Sequence, residues 1–399
     1  MRSRDLILIK EIFVIGLTAF GGPQAHIAMM QNVLVKKRAF LTDEELLETY
    51  ALCQMLPGPA STQTIIAISL KQGGTLLAIL ALLAWMLPAV ILMTLITVLF
   101  STFERFGFSL SYFQYVQPVA IGIIGFAGFK LGDAVIKSKA GMMLMIFGLL
   151  TTILYPEPWT FPLAIAIGGA ISNFFTAKKD TIIAAPQPKI NWTRSWLSLT
   201  LLILIFVLAA FLGAVTNFKP FVVFENMYRF GAITFGGGNV LVPMMFEQFV
   251  KYRQYLSAQE FVSGYAINQA IPGPAFAFAA FTGGMALHSM GYHYQILGCL
   301  LSAIAIFLPG MFMIFFIFPF WQYFKKYSFI RRSLEGVNAV ATGLVLGSAV
   351  VLYANLQLHW ANAFIVAGTF MLLHFTKIKA PWLVLAALAI GFVIEKTSV

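Results

Sequence analysis

The sequence predicts an all-α polytopic membrane protein made of two inverted-topology repeats with interrupted helices, about 12–13 membrane segments in all. Of its 399 residues, 60% are hydrophobic and only 10% are charged, whereas a soluble domain carries about a quarter charged residues. Apolar stretches long enough to cross a bilayer recur along the whole chain. The two halves also share motifs at matching positions, which indicates an internal repeat.

The apolar stretches divide the chain into three predicted domains. In the first half they run near 7–34, 45–69, 74–101, 113–136, 140–155 and 158–176. A polar stretch over 177–194, which contains Pro186 and Pro188, predicts a cytoplasmic linker before a lone segment at 196–215. In the second half the stretches run near 221–250, 258–286, 293–323, 333–354, 358–375 and 380–394. We therefore expect an N-terminal repeat over 1–176, a linker plus connecting membrane segment over 177–220, and a C-terminal repeat over 221–399.

The repeat is visible without gaps when the sequence is shifted by 215 positions. This shift places Phe20-Gly21-Gly22 on Phe235-Gly236-Gly237, and Pro57-Gly58-Pro59 on Pro272-Gly273-Pro274. Over the 44 pairs that begin at Phe20, 17 are identical. Chance gives about two or three, so the halves share one architecture.

Orientation follows from the number of crossings and from the basic residues. Six segments plus the lone one separate equivalent points, so the second repeat is inverted if every segment crosses. The net charge of +11 comes from short clusters between apolar runs, which indicates a topology signal and not a nucleic-acid surface. With the N-terminus inside, most clusters fall in the cytoplasm, Lys251 and Arg253 among them. Lys36-Lys37-Arg38 falls outside, so either the first two segments do not both cross or these cations serve the substrate.

Consecutive glycines interrupt one long apolar segment in each half. These residues are Gly21, Gly22 and Gln24 in the first half, and Gly236, Gly237, Gly238 and Asn239 in the second. Glycine costs about 1 kcal/mol in a helix interior, so each helix should break there. The freed amides at the start of the next half-helix suit an anion. The alternative is close helix packing at small residues, and recurrence in both halves favours the break.

The Pro-Gly-Pro motifs predict sharp turns at a binding site. Proline removes an amide donor and restricts the residue before it, so the chain must kink or turn. Matching interruptions in two repeats indicate the substrate site of a transporter. Nearby uncharged donors would complete that site, namely Gln54, Ser61, Thr62, Asn268 and Gln269. A purely structural kink is the alternative.

Ionisable candidates are sparse. Glu45 and Glu260 begin their segments, where capping is the main interpretation and proton coupling the alternative. His26 follows the first glycine pair and either contacts the ligand or is an interior histidine with a hydrogen bond. Lys36, Arg38, Lys251 and Arg253 would attract an anion electrostatically. No phosphate-binding loop, metal-ligand motif or serine-hydrolase motif occurs, so we expect no enzyme, no cofactor and no metal.

The doubled motifs identify a family. Phe20 to Pro23, Leu56 to Pro59, Phe235 to Asn239 and Gln269 to Pro274 resemble the long, two-domain form of the chromate ion transporter family. The resemblance implies a multi-pass protein of a bacterial or archaeal cytoplasmic membrane that exports chromate by alternating access and gives chromate resistance. Its partners would be chromate or a related oxyanion and membrane lipid, with no nucleic acid, and a homodimer stays open. The alternatives are a permease or exchanger of sulfate or another small anion and, from another class, an integral-membrane transferase.

Overall fold

The computed structural model describes the chain apart from residues 1, 21, 55, 106–113, 137, 156, 158–159, 176–191, 236–237, 322–327, 357–359 and 398–399. Every regular element in these ranges is a helix, which confirms the predicted all-α polytopic class. The first repeat contains α1 (Ser3–Thr18), α2 (Gly22–Met30, continued as a π-helix over Gln31–Lys37), α3 (Asp43–Gln54), α4 (Ala60–Arg105), α5 (Val116–Val135), α6 (Lys139–Leu154) and α7 (Thr160–Phe175). Helix α8 (Trp192–Thr216) connects the repeats.

The second repeat follows the same order. It contains α9 (Lys219–Ile233), α10 (Gly238–Phe246, continued as a π-helix over Glu247–Tyr252), α11 (Ala258–Ala270), α12 (Phe278–Leu287, between 3-10 turns at Ala275–Ala277 and His288–Met290), α13 (Tyr292–Ile317, continued as a 3-10 turn over Phe318–Phe320), α14 (Ser328–Ala354), α15 (Trp360–Phe375) and α16 (Ala380–Thr397). Four stretches in the described ranges are long and apolar enough to span a membrane, namely Ala60–Phe103, Ser195–Thr216, Tyr292–Phe320 and Glu335–Ala354.

The broken segments of the first repeat fold back as hairpins. Arg4 Nη2, at the start of α1, donates a 2.9 Å hydrogen bond to the carbonyl of Ala39, just beyond the end of the π-helix that continues α2. Lys71 Nζ, near the end of the first part of α4, lies 2.6 Å from Glu45 Oε1 at the start of α3. Both ends of each hairpin therefore lie together. Helix α3 is only about 18 Å long at 1.5 Å per residue, too short for a bilayer core of about 30 Å.

The second repeat contains the equivalent contact. The Lys219 ammonium lies 4.3 Å from the ring centroid of Tyr255, as the Arg4 guanidinium lies 5.3 Å from that of Phe40. These four residues correspond in pairs under the shift of 215 positions. Each pair forms a cation–π contact at the outer end of a hairpin, by which we mean the end at the membrane surface, away from the tip. The two repeats therefore contain the same re-entrant element.

Glycines mark the points where the hairpins pass into spanning helices. At Gly74 the backbone leaves the helical region with φ 80° and ψ −165°, which divides α4 into a hairpin arm over 60–73 and a spanning part over 75–105. Gly291, with φ 106°, occupies the corresponding point before α13. Left-handed φ values of this kind favour glycine because it has no Cβ.

The hairpins correct the single crossings predicted for 7–34, 45–69, 221–250 and 258–286. The chain reverses within each of these stretches because the breaks and the Pro-Gly-Pro turns interrupt the helix at membrane depth. If 75–105 and each helix from α5 to α8 cross once, five crossings separate equivalent points of the two repeats. The number stays odd, so the repeats remain inverted.

The same correction removes the conflict over the basic residues. Lys36-Lys37-Arg38 now lies on the side of Arg4 and Lys71, which the positive-inside rule assigns to the cytoplasm. The hairpins of the second repeat enter from the other face. Lys251 and Arg253 therefore move to the opposite side from the one predicted by simple alternation.

The other helices form a separate bundle, which we call the scaffold bundle and define as α5 to α7 and α14 to α16. Helix α14 packs on α5, α6 and α7, and α5 also packs on α15 and α16. Each of these contacts joins a helix of the first repeat to a helix of the second. A Cβ built at Gly336 of α14 would lie 2.0 Å from the carbonyl oxygen of Gly168 in α7. The helix backbones therefore touch there, as small residues allow at helix–helix contacts in membranes.

We predict that cysteines at the equivalent positions Lys37 and Tyr252 are labelled from opposite sides. Both positions are exposed at the outer end of a hairpin, and Cys53 and Cys299 are buried, so background labelling should be low. An impermeant maleimide added to intact cells should modify Tyr252→Cys, and inverted vesicles should be needed for Lys37→Cys. The reverse pattern would restore the single crossings.

Candidate functional site

The tips of the hairpins meet through two reciprocal hydrogen bonds between the repeats. The Gly58 N–H, in the first Pro-Gly-Pro turn, donates to the Thr234 carbonyl at 2.7 Å. The Gly273 N–H, in the second turn, donates to the Ala19 carbonyl at 2.8 Å. Thr234 and Ala19 end α9 and α1 at the two helix breaks and correspond under the shift of 215 positions. Each Pro-Gly-Pro turn therefore docks on the broken helix of the other repeat.

Glycine is required at both turns. The φ angles are +118° at Gly58 and +112° at Gly273, a region that side chains with a Cβ rarely adopt. A Cβ at Gly58 would also lie 3.5 Å from Cα of Gly310 in α13, and one at Gly273 would lie 2.8 Å from Cβ of Ala89 in α4. The turns thus sit against the spanning helix of the opposite repeat, beside Pro309 and Pro88. The predicted turns at Pro57, Pro59, Pro272 and Pro274 are confirmed.

Polar side chains of the first repeat surround one of these tips. His26 Nδ1 lies 3.1 Å from Ser61 Oγ, and Trp85 Nε1 donates to Thr62 Oγ1 at 3.0 Å. The rings of His26 and Trp85 meet edge to face with centroids 5.0 Å apart. His26 is 1% exposed, and its Nε2 has no hydrogen-bond partner among the described residues. We call His26, Ser61, Thr62 and Trp85 the polar cluster.

The second repeat holds apolar residues at the corresponding positions. Leu241, Phe276 and Ala277 replace His26, Ser61 and Thr62, and Ile306 replaces Trp85 with the later shift of 221. All four are buried. The repeats therefore share a backbone arrangement, but only the first supplies a polar cluster.

Two further amides brace the turns. Gln63 Nε2 donates to the Pro57 carbonyl at 2.8 Å, and Asn268 Nδ2 donates to the Ala275 carbonyl at 3.2 Å. Asn268 thus has a structural partner within its own turn. Gln63 is fully buried, and its Oε1 has no partner in the described part of the chain. Sequence reasoning missed Gln63 and Trp85, although both lie within an apolar helix where a polar atom needs a partner.

Several other predicted site residues lie near the ends of the hairpin helices. Gln54 is exposed at the end of α3, and Gln269 is half-buried near the end of α11. Gly22 and Gln24 lie in the first turn of α2, as Gly238 and Asn239 lie in that of α10. Gly21, Gly236 and Gly237 fall outside the described residues.

Glu45 and Glu260 form matching capping boxes, which confirms their predicted capping role. Glu45 Oε2 accepts from the Thr42 N–H at 3.1 Å, and Glu260 Oε2 accepts from the Ser257 N–H at 2.6 Å. The hydrogen bond from Lys71 and that from the Thr42 backbone lower the pKa of the exposed Glu45 carboxyl. Proton coupling by either residue stays a prediction.

The basic residues singled out in the sequence lie at the outer ends of the hairpins. Lys36 and Lys251 are exposed there, about 20 Å along their helices from the tips at 1.5 Å per residue. Arg38 donates from Nε to Glu11 Oε1 at 2.7 Å, so a carboxylate balances its charge. Arg253 lies in the field of Glu225, which also pairs with Arg229 at 3.3 Å. Attraction of an anion by these cations stays a prediction.

The two pairs of hairpins differ in how they meet the scaffold bundle. Helix α11 packs on α5 and α16, and α10 packs on α14 and α5, whereas α2 and α3 make no comparable contact in the described ranges. The equivalent residues Leu47 and Val262 are 56% and 4% exposed. Ala28 and Asn32 on α2 are exposed, while their equivalents Pro243 and Glu247 on α10 are buried. The hairpins of the second repeat therefore pack on the scaffold bundle, whereas those of the first repeat leave the equivalent faces exposed.

Comparison with known proteins gives matches along nearly the whole chain. A sequence model of the family described as chromate transporter matches residues 6–173 and 221–392. An uncharacterized transporter of Methanocaldococcus jannaschii is 24% identical over 98% of this chain and 94% of its own length. A chromate transport protein of Cupriavidus metallidurans is 25% identical over 97% and 92%. A probable chromate transport protein of Synechococcus elongatus is 24% identical over 90% and 87%. No solved structure gives a significant match.

We predict that Gly58→Ala and Gly273→Ala each lower thermal stability in detergent. The left-handed backbone alone should cost about 1–2 kcal/mol, and the added Cβ would crowd Gln63 in one turn and Ala89 in the other. Gly368→Ala is the matched control, since its Cβ meets nothing within 4 Å. Melting of the purified variants, followed by size-exclusion chromatography after heating, measures the effect. Equal stability of Gly58→Ala and Gly368→Ala would contradict the strained turn.

Proposed function

The chain belongs to the chromate transporter family, and from this premise we propose that it exports chromate from the cytoplasm by alternating access between its two repeats. It is a multi-pass protein of the cytoplasmic membrane. Relatives named for chromate transport support the substrate. Expulsion of chromate would then give resistance to it.

The observation that carries alternating access is the unequal packing of equivalent hairpins. We call the contact of α10 and α11 with α5, α14 and α16 the outer gate, and the corresponding faces of α2 and α3 the inner gate. Helices α10 and α11 pack on the scaffold bundle while the equivalent faces of α2 and α3 are exposed, which supports a state with the outer gate closed and the inner gate open. Because the repeats are inverted copies, exchange of their two packing arrangements would close the inner gate and open the outer one.

The chemistry at the tips supports an oxyanion as the substrate. Helices α2, α4 and α10 begin near the tips, and the positive ends of their dipoles suit an anion. In the polar cluster the Thr62 hydroxyl accepts from Trp85, which leaves its own hydrogen free to donate to a ligand. None of the four side chains in the cluster is a carboxylate or a permanent cation. Neutral donors can hold a dianion and still release it.

The membrane potential can supply the energy for export. Moving one charge through 100 mV is worth about 2.3 kcal/mol, so a dianion that leaves an inside-negative cell gains about 4.6 kcal/mol. The sequence contains no phosphate-binding loop, in agreement with transport driven by a gradient. Sulfate has the same shape and charge as chromate, so the flux experiment below includes both anions.

We predict that Thr62→Val raises the KM for chromate about tenfold or more, since a hydrogen bond to a charged group is worth about 1.5–3 kcal/mol. Thr64→Val is the matched control, because Thr64 Oγ1 donates to the Ala60 carbonyl within the same helix. Initial rates of radiolabelled chromate uptake into inverted vesicles, with sulfate as a competitor, measure the effect. Wild-type vesicles that accumulate sulfate but not chromate would overturn the proposed substrate. Equal KM values for the two variants would remove Thr62 from the site.

We also predict unequal labelling of cysteines at the equivalent gate positions Leu47 and Val262. Without substrate, Leu47→Cys should react in inverted vesicles and Val262→Cys should be protected from both sides. Chromate should slow labelling of Leu47→Cys and speed labelling of Val262→Cys from outside, because turnover samples the second state. Labelling rates that stay the same at both positions when chromate is added would contradict alternating access.

A further inference from the structure

Glu247 is a buried carboxylate beside the outer gate, at the residue that follows α10. It begins the π-helix that continues α10 and is 6% exposed, near the outer end of a hairpin that does not span the membrane. No hydrogen bond or ion pair joins its side chain to another described residue. A buried carboxylate without such partners is costly, and in a membrane transporter it points to a functional role.

The equivalent position in the first repeat shows what happens to this face when a gate is open. Asn32 corresponds to Glu247, and it is exposed on the open inner gate. Ala28 and Pro243, one turn earlier, show the same contrast. Exchange of the two packing arrangements would therefore transfer the Glu247 carboxyl from a buried setting to water.

We propose that Glu247 is a proton-binding latch of the outer gate, which closes over the neutral carboxylic acid and opens when the acid ionises. This inference rests on the proposed alternating access. The step is a simple acid–base equilibrium in which the carboxyl oxygen takes a proton from outside water on closure and returns it on opening. Because burial differs between the two states, proton binding and gate closure must be linked.

The charged neighbours of Glu247 shift the pKa of its carboxyl in opposite directions. Burial raises the pKa of its carboxyl from 4.5 to about 7 with the gate closed, Lys251 opposes this rise, and Glu157 in the α6–α7 connection adds to it. On α9, which also packs on α10, Glu225 is paired with Arg229 and lies near Arg253. On α5 and α14 the charged side chains that the structure describes, Lys130, Asp133 and Glu335, lie toward the cytoplasmic ends of their helices.

The direction of the pH effect follows from these values. Below its ordinary value of 4.5 the carboxyl is protonated in both states, and above about 7 it is ionised in both. Between these limits the closed state holds a proton that the open state has lost. The closed-to-open ratio should therefore fall by up to about tenfold for each unit of rising pH in that window. An acidic exterior keeps the outer gate shut against return of the substrate.

The test measures the gate directly, with a cysteine at Val262 and an impermeant maleimide added outside. Tyr252→Cys, at an exposed position on the neighbouring hairpin of the same repeat, corrects for the pH dependence of the labelling chemistry. In the otherwise wild-type protein the labelling ratio should rise between pH 5 and pH 7. Glu247→Gln, which resembles the neutral acid, should keep the ratio low at every pH. Glu225→Gln is the matched control and should keep the rise.

Two more variants test the latch even if Glu247→Gln folds poorly. Glu157→Gln should shift the midpoint of the rise to lower pH because it removes a like charge. Lys251→Gln should shift the midpoint to higher pH because it removes an opposite charge. A rise that persists unchanged in Glu247→Gln, or midpoints that move together or not at all, would overturn the proposal.

The readout separates this inference from the proposed function, because it needs no substrate. A normal pH response in a protein that carries no chromate would leave the latch intact and overturn the substrate. Equal labelling of Val262→Cys and Tyr252→Cys at every pH would instead show that the outer gate is absent, which overturns both the latch and the alternating access beneath it.

Discussion

The structure depends on the need to satisfy backbone amides at membrane depth, where water is scarce. A helix interrupted there frees N–H and C=O groups that must find partners inside the protein. In this chain the Gly58 N–H finds the Thr234 carbonyl, and the Gly273 N–H finds the Ala19 carbonyl. Each repeat thus supplies a hydrogen-bond acceptor for a backbone amide of the other repeat. Neither set of hairpin tips finds all of its backbone partners within its own repeat. The positions of the spanning helices α4 and α13 follow, since each supports the turn of the opposite repeat.

Much of this arrangement could be predicted from sequence, because glycine and proline act locally. The helix breaks, the Pro-Gly-Pro turns, the inversion and the capping by Glu45 and Glu260 all come from residue chemistry and internal repetition. Re-entry could not be predicted from segment length, since an apolar stretch such as 7–34 is equally long for one crossing or for a hairpin, and only the position of Lys36-Lys37-Arg38 pointed to it. The ion pair of Arg38 with Glu11 was missed for the same reason, because it exists only when α1 and α2 lie side by side.

The two repeats share one backbone arrangement but carry different polar and ionisable side chains. The polar cluster belongs to the first repeat, where His26 and Trp85 place nitrogen atoms beside hydroxyl groups. The second repeat fills the equivalent space with apolar side chains, among them the buried Leu241, Phe276 and Ile306. It instead carries the buried carboxylate of Glu247. Sequence identity between the halves reveals the shared arrangement, whereas the positions that differ hold the polar cluster in one repeat and the buried Glu247 carboxylate in the other.

The reciprocal bonds between the tips also constrain how the chain assembles as it is synthesised. Gly58 leaves the ribosome long before Thr234, so the first pair of hairpins must wait for its partners while the intervening helices insert. Contacts between residues so far apart in sequence form late and slow folding. During that interval the unpaired amides need another partner, such as water or the insertion machinery. Domains of a long chain generally fold in order of synthesis, and here the first half can reach its final form only after the second half has arrived.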